Sequence, residues 1–230
     1  MSGLLTEVCC GSLEEACRAK AAGADRIELN SMMAVGGLTP SMGLVSLVKE
    51  LGIETMAMVR PRPGGFCYSD FEFKTMLADV RLFRDAGMEG IVFGILRQDG
   101  TVDRERCGEL LAAAKGLAVV FHRAIDRCPD WRAALDTLCD LRFSRVLSSG
   151  QKNSAWEGKE TLRDMRSYAA GRIEILPGAG IRAHNVCSVI EATGCNQVHF
   201  SMRKTGSEEQ LLSEEELRQL IDKARFQGRS

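Results

Sequence analysis

No run of this 230-residue chain approaches the roughly 20 apolar residues that a membrane-spanning helix requires. The opening Met1-Ser2-Gly3 begins neither the charged n-region nor the apolar h-region of a secretory signal. Clusters of one charge sign are missing as well. Thirty Lys and Arg stand against 31 Asp and Glu, for a net charge of −1, which provides no field to hold nucleic acid or an anionic membrane. No CxxC pair occurs. The nine cysteines, at 9, 10, 17, 67, 107, 128, 139, 187 and 195, are odd in number and irregularly spaced. That leaves no basis for a disulfide framework or a zinc ribbon and matches small buried apolar residues in a reducing compartment. The expectation is a cytoplasmic protein with neither a membrane nor a nucleic-acid partner. No shift in composition marks a boundary, so residues 1–230 read as a single domain, long enough to bury a sizeable core.

What is present is an alternation of short apolar runs with amphipathic ones. Strand-like runs fall at Leu4–Cys10, Arg26–Leu29, Glu54–Val59, Gly90–Ile95, Leu117–Phe121, Ser144–Leu147, Arg172–Leu176 and Gln197–Phe200. Helical patterns separate them. Ser12-Leu13-Glu14-Glu15 is a capping signature opening a helix that Gly23 closes, and further helices are expected over Ser41–Leu51, Asp70–Asp85, Asp103–Lys115, Asp130–Cys139, Lys159–Ala169 and Ala183–Thr193. A polar linker around 206–210 leads to a second capping box at Ser213-Glu214-Glu215-Glu216 and a last helix over 213–226. Eight strand–helix units in 230 residues predict an α/β fold of the (β/α)₈ TIM-barrel kind, with an open sheet plus an extra domain as the alternative.

The strands of such a barrel are covered on both faces and should be almost wholly apolar. These are not. Alternation puts Glu7 with Cys9 opposite Thr6 and Val8, and Glu28 with Asn30 opposite Ile27 and Leu29. Arg60 continues the face of Met56 and Met58, His122 lies with Val120, Ser148 with Val146 opposite Leu147, and His199 with Ser201 opposite Val198 and Phe200. If the apolar set meets the helices, the polar set points inward. Most of these residues sit near the C-terminal ends of their strands, where barrel enzymes build their sites. Buried charges of both signs must satisfy one another or a ligand, so the two readings are an ion-pair layer closing the barrel and a ligand site.

Three loops add to this mouth. Arg60-Pro61-Arg62-Pro63-Gly64-Gly65-Phe66-Cys67-Tyr68 combines two guanidiniums, which require an anion, a carboxylate or water, with a shaped Pro-Gly bend. Pro177-Gly178-Ala179-Gly180 is a turn of the kind that offers backbone N–H groups to phosphate, with Gly178 and Gly180 as its cradle. Ser148-Ser149-Gly150 adds donors or a cap.

Together these motifs resemble the CutC family, the so-called copper homeostasis proteins. The resemblance rests on Glu7-Val8-Cys9, Gly23-Ala24-Asp25-Arg26-Ile27-Glu28-Leu29, Arg60-Pro61-Arg62, Phe66-Cys67-Tyr68-Ser69-Asp70, Phe121-His122-Arg123-Ala124, Leu147-Ser148-Ser149-Gly150 and Pro177-Gly178-Ala179-Gly180, and it spans about residues 4–204. It implies a TIM barrel, a cytoplasmic location and an association with copper tolerance. Family copper(I) binding is attributed to two cysteines, one matching Cys9 and one directly after Ile27-Glu28-Leu29. Here the second position is Asn30, and an amide is a poor ligand for a soft ion. Met32, Cys67 or a cysteine of another copy would have to complete a shell around Cys9.

Two functions of different class follow. In one, Cys9 holds copper(I) at the barrel mouth. In the other, the chain is a lyase or isomerase on a small anionic or hydroxylated substrate. Glu7, Glu28, His122 and His199 would then do acid–base work, and Arg60, Arg62, Tyr68, Arg123, Ser148, Gly178, Gly180 and Ser201 would bind substrate. The partner is a small molecule or a copper ion in either case. The oligomeric state stays open, a homo-oligomer being compatible with the tail beyond residue 204.

Overall fold

The computed structural model describes residues 4–203 and 210–227, and most of the linker expected over 206–210 lies outside them. Eight strands form one parallel sheet: β1 (Leu5–Cys10), β2 (Arg26–Leu29), β3 (Glu54–Met58), β4 (Gly90–Phe93), β5 (Ala118–Phe121), β6 (Arg145–Ser148), β7 (Glu174–Pro177) and β8 (Gln197–Ser201). Their hydrogen-bonded order is β7-β6-β5-β4-β3-β2-β1-β8. The two end strands lie side by side, and Gln197 donates from Nε2 to Glu174 Oε2 at 3.3 Å across the seam. The sheet is thus a nearly closed TIM barrel.

Among the described residues eight helices surround it: α1 (Leu13–Ala21), α2 (Met42–Lys49), α3 (Asp70–Asp85), α4 (Arg104–Ala113), α5 (Trp131–Asp140), α6 (Lys159–Ala169), α7 (Val186–Thr193) and α8 (Glu214–Gln227). Their starts follow the sequence chemistry. Ser12 accepts the Glu15 N–H at the head of α1, and Ser69 and Glu72 close a reciprocal capping box on α3. Glu15 departs from the expected box, because its carboxylate turns to Gly11 N and Arg203 instead of Ser12 N. Among the described residues no helix is long and apolar enough to cross a membrane.

The core has two parts. The larger lies between strands and helices and includes Val8, Ile27, Leu29, Ala57, Phe93, Phe121, Val146, Val198 and Phe200. The smaller fills the barrel itself with Met56, Met58, Val92, Val120, Leu147 and Leu176. This second cluster corrects one expectation: Leu147 points into the barrel and Val146 outward. Arg145 begins β6 and its Nε meets Glu174 Oε2 at 2.9 Å. Alternation then puts Leu147, two residues on, on the same inner face. The rule that inward means polar fails on the β3–β7 side, where Met, Val and Leu fill the interior.

Candidate active and metal site at the barrel mouth

At the N-terminal end of the barrel, side chains from six strands form a polar layer. Glu7 bonds Arg26, which also donates to Gln197 Oε1 at 3.1 Å and lies 3.7 Å from Glu54. Gln197 and Arg145 share Glu174. The Glu7–Arg26 pair is buried on both sides, and a pair of that depth leaves little net stability but makes loss of either partner costly. The ion-pair layer thus lies at the N-terminal end of the barrel, beneath the mouth at which the sequence reading put a ligand site. Glu7 joins them, because its second oxygen lies 2.7 Å from His199 Nδ1. Burial alone would raise the Glu7 pKa, but the His199 hydrogen bond and the Arg26 charge bring it down to about 2. Burial opposes charge on His199, yet the carboxylates of Glu28 and Glu7 raise its pKa.

Above this pair opens a cavity of about 230 Å³. On its β1–β2 side the Cys9 thiol lies 3.3 Å from Glu28 Oε2 and 3.7 Å from Met33 Sδ. Ligand atoms of Cys9, Glu28 and His199 all lie within 4.8 Å of one another. Burial, then the Glu28 charge, pushes the Cys9 thiol well above the ordinary range. Burial also raises Glu28, aided by the Glu7 charge and opposed by that of His199. Among the described residues its Oε1 is buried without a partner. Asn30 donates to Glu28 Oε2 at 2.8 Å and to Cys9 Sγ at 3.3 Å. That packing requires Gly37, since a Cβ there would stand 2.2 Å from Asn30 Oδ1.

The opposite wall carries Arg60, Phe66, His122 and Arg123. Arg60, only 6% exposed, donates from Nη1 to the carbonyls of Val35, Gly36 and Gly37 and from Nη2 to that of Gly64. Phe66 stacks against both the Arg60 guanidinium and the His122 ring. Burial, followed by the Arg60 charge, lowers the His122 pKa to about 3. The ring fits because residue 94 is glycine: a Cβ there would lie 2.5 Å from it.

Several expected residues stand elsewhere. Arg62 is turned away, bound to Glu72 at 2.5 Å and stacked on Tyr68, so it forms no clamp with Arg60. Tyr68 is buried beneath it and does not line the cavity. Ser148 donates to Asp126 Oδ1 at 2.6 Å in the loop after β5, as its outward phase requires. Arg123 and Ser201 do line the cavity, Arg123 paired with Asp126 at 2.9 Å. Gly178 packs against His199 and Leu147, but its N–H already serves Ser148 O in the sheet ladder. Gly180 reaches the cavity rim. The helix expected from Ala183 begins only at Val186, so no helix N-terminus abuts the glycine turn.

Met32 is 61% exposed and Cys67 is exposed, and neither approaches Cys9. The sulfur that does is Met33, in a short 3₁₀ turn over Met33–Val35. Sequence offered a Met-Met pair and no means of saying which member turns inward. Arg182, also on the cavity wall, gave no sequence signal at all.

Residues 4–204 match the CutC family. A family protein CutC of Treponema denticola is 52% identical over 209 residues, covering 90% of this chain and 85% of its own. The human copper homeostasis protein cutC homolog is 46% identical over 205 residues, covering 89% and 75%. The crystal structure of a CutC protein from Streptococcus agalactiae superposes with a TM-score of 0.82 at 35% identity, covering 86% of this chain and 98% of that one. The polar barrel mouth described above therefore sits in a chain that belongs to the CutC family.

Proposed function

We propose that this protein handles copper(I) in the cytoplasm, with the Cys9 thiolate as the charged ligand and the Met33 thioether and a His199 ring nitrogen as neutral ones. The observation that carries the reading is the 3.7 Å approach of the Cys9 and Met33 sulfurs on one cavity wall, with His199 beside them. Soft sulfur donors favour copper(I) over harder ions. Copper(I) takes over the charge of the thiol proton it replaces, and His199 gives up the proton that its raised pKa favours when the ring nitrogen becomes a ligand. The desolvation that makes a bare Cys9 thiolate costly therefore does not oppose the metal-bound one. Glu7 supports this arrangement as a carboxylate fixing the ring of a ligating histidine. Met33 supplies the second sulfur that Asn30 cannot. The names of the relatives agree with a copper role, and nine unpaired cysteines agree with a reducing compartment.

Competition against a chromogenic copper(I) chelator under reducing conditions tests it. Cys9→Ser should lose at least tenfold in affinity; an unchanged affinity removes the proposal.

A second reading is acid–base catalysis: burial raises the pKa of Glu28 on the cavity wall, while the His199 hydrogen bond and the Arg26 charge hold that of Glu7, beneath it, down to about 2. Such a split assigns Glu28 as proton donor and Glu7 as a fixed anion. Carboxyl ¹³C NMR of the metal-free protein reads both. A Glu28 that titrates with the exposed carboxylates ends this reading.

A further inference from the structure

The cavity wall opposite the sulfurs is cationic beyond what the protein neutralises. Arg123 has Asp126, but among the described residues neither Arg60 nor Arg182 has a carboxylate partner: Arg60 lies against the Phe66 ring and the Tyr68 hydroxyl, and the hydrogen bonds of both guanidiniums go to carbonyls. Arg60 bonds those of Val35, Gly36, Gly37 and Gly64, and Arg182 those of Ile181 and Arg203. The Nε of each is buried with no partner. Carbonyl dipoles offset part of the cost of burying a guanidinium, but an anion offsets it better.

The unused hydrogens have a specific shape. Nη1 of Arg60 is consumed by three carbonyls and Nη2 spends one hydrogen on Gly64. The side-on edge, Nε–H with the remaining Nη2 hydrogen, is left as a fork matched to a planar carboxylate. Beside it, His122 Nδ1 accepts the Ala124 N–H at 3.1 Å, so the neutral ring carries its proton on Nε2. That donor too is buried and unpartnered. Phe66 covers both groups, its ring 5.2 Å from Arg60 Cζ and 4.7 Å from the His122 ring. All three side chains belong to the lining of the cavity. Met58 and Leu147 line the same space, a surface suited to carbon and not to a hydrated inorganic ion. Phosphate fits less well, because the Gly178 N–H is committed to the sheet and α7 begins well past the turn.

We propose that the cavity binds a small organic carboxylate, held by the side-on edge of Arg60 and neutralised with Arg182, its carbon body lying against Met58 and Leu147. Binding of this anion needs neither copper nor turnover, so it stands apart from both readings above.

Isothermal titration calorimetry of the copper-free full chain with butyrate, succinate, butyramide and inorganic phosphate tests the proposal. At least one of the two carboxylates should bind, butyramide and phosphate should bind more weakly, and Arg182→Met should weaken the carboxylate roughly 10- to 100-fold, the loss of one charge-assisted contact. Arg60→Met should weaken it at least as much. Because Arg60 also ties down two loops, a misfolded Arg60→Met is set aside and Arg182→Met, checked for native circular dichroism, decides. Binding of neither carboxylate, equal binding of butyramide, tighter binding of phosphate, or a folded Arg182→Met with wild-type affinity would each overturn it.

Discussion

Glu7 and His199 are register partners on adjacent parallel strands and are joined side chain to side chain at 2.7 Å. Glu7 also holds Arg26. One buried carboxylate thus connects the ion-pair layer that closes the barrel to the histidine that faces the cavity.

Removal of that carboxylate should cost stability as well as site geometry. Glu7→Gln leaves Arg26 buried with Gln197 and a distant Glu54 as its remaining partners. Urea denaturation should show a loss of about 3–5 kcal/mol, the cost of breaking a buried pair from one side. A loss below about 1 kcal/mol would mean that Glu7 is not the anion holding this layer.

His122 should set part of the acid limit. Its folded pKa of about 3 lies below the ordinary 6.5, so between those values the unfolded chain binds a proton that the folded chain refuses. Stability present above pH 6.5 is then lost as pH falls toward 3, by on the order of a few kcal/mol. Glu7 has the same sign but acts lower, between 4.5 and about 2. His199, whose pKa is raised, has the opposite sign and favours the fold on the acid side. In His122→Asn, the amide oxygen can still accept the Ala124 N–H, and the pH dependence between 6.5 and 4.5 should flatten. Thermal melts across that range check it; an unchanged slope would assign the acid limb to other groups.

Asn30→Cys should place a second thiolate beside Cys9. The Asn30 side chain already lies 3.3 Å from the Cys9 sulfur, and its Oδ1 is buried without a partner, so the replacement removes an unsatisfied polar atom as it adds a soft ligand. Copper(I) affinity by chelator competition should rise at least tenfold. No gain would place the metal away from Cys9.

Thiol accessibility gives a further check. Cys17 and Cys67 are exposed, while Cys9 is buried with its thiol pKa raised by desolvation. Timed alkylation read by peptide mass spectrometry should label the first two rapidly and Cys9 slowly. Labelling of Cys9 at the rate of Cys67 would contradict the buried mouth.

Much of this site was legible because strand alternation is rigid. Glu7, Cys9, Glu28, Arg60, His122 and His199 reach the barrel interior as their parity requires. Ser148 misled because a serine ending an apolar strand reads as inward, while the phase of β6 is fixed by Arg145, whose partner Glu174 lies 29 residues on in β7. Arg62 misled because its partner Glu72 lies in the next helix and no periodicity pairs them. Met33 and Arg182 sit on irregular backbone, where side-chain direction depends on tertiary packing and not on any repeat. The fold was carried by eight recurring strand–helix units; the site's details depended on contacts between them.

The central claim is that Cys9, Met33 and His199 form one copper(I) site. X-ray absorption at the copper edge of the copper(I)-loaded protein, wild type beside Met33→Leu, tests it most directly. The wild type should show two sulfur scatterers and one nitrogen, with one sulfur lost in the variant. A first shell without sulfur, or one that Met33→Leu leaves unchanged, would contradict it.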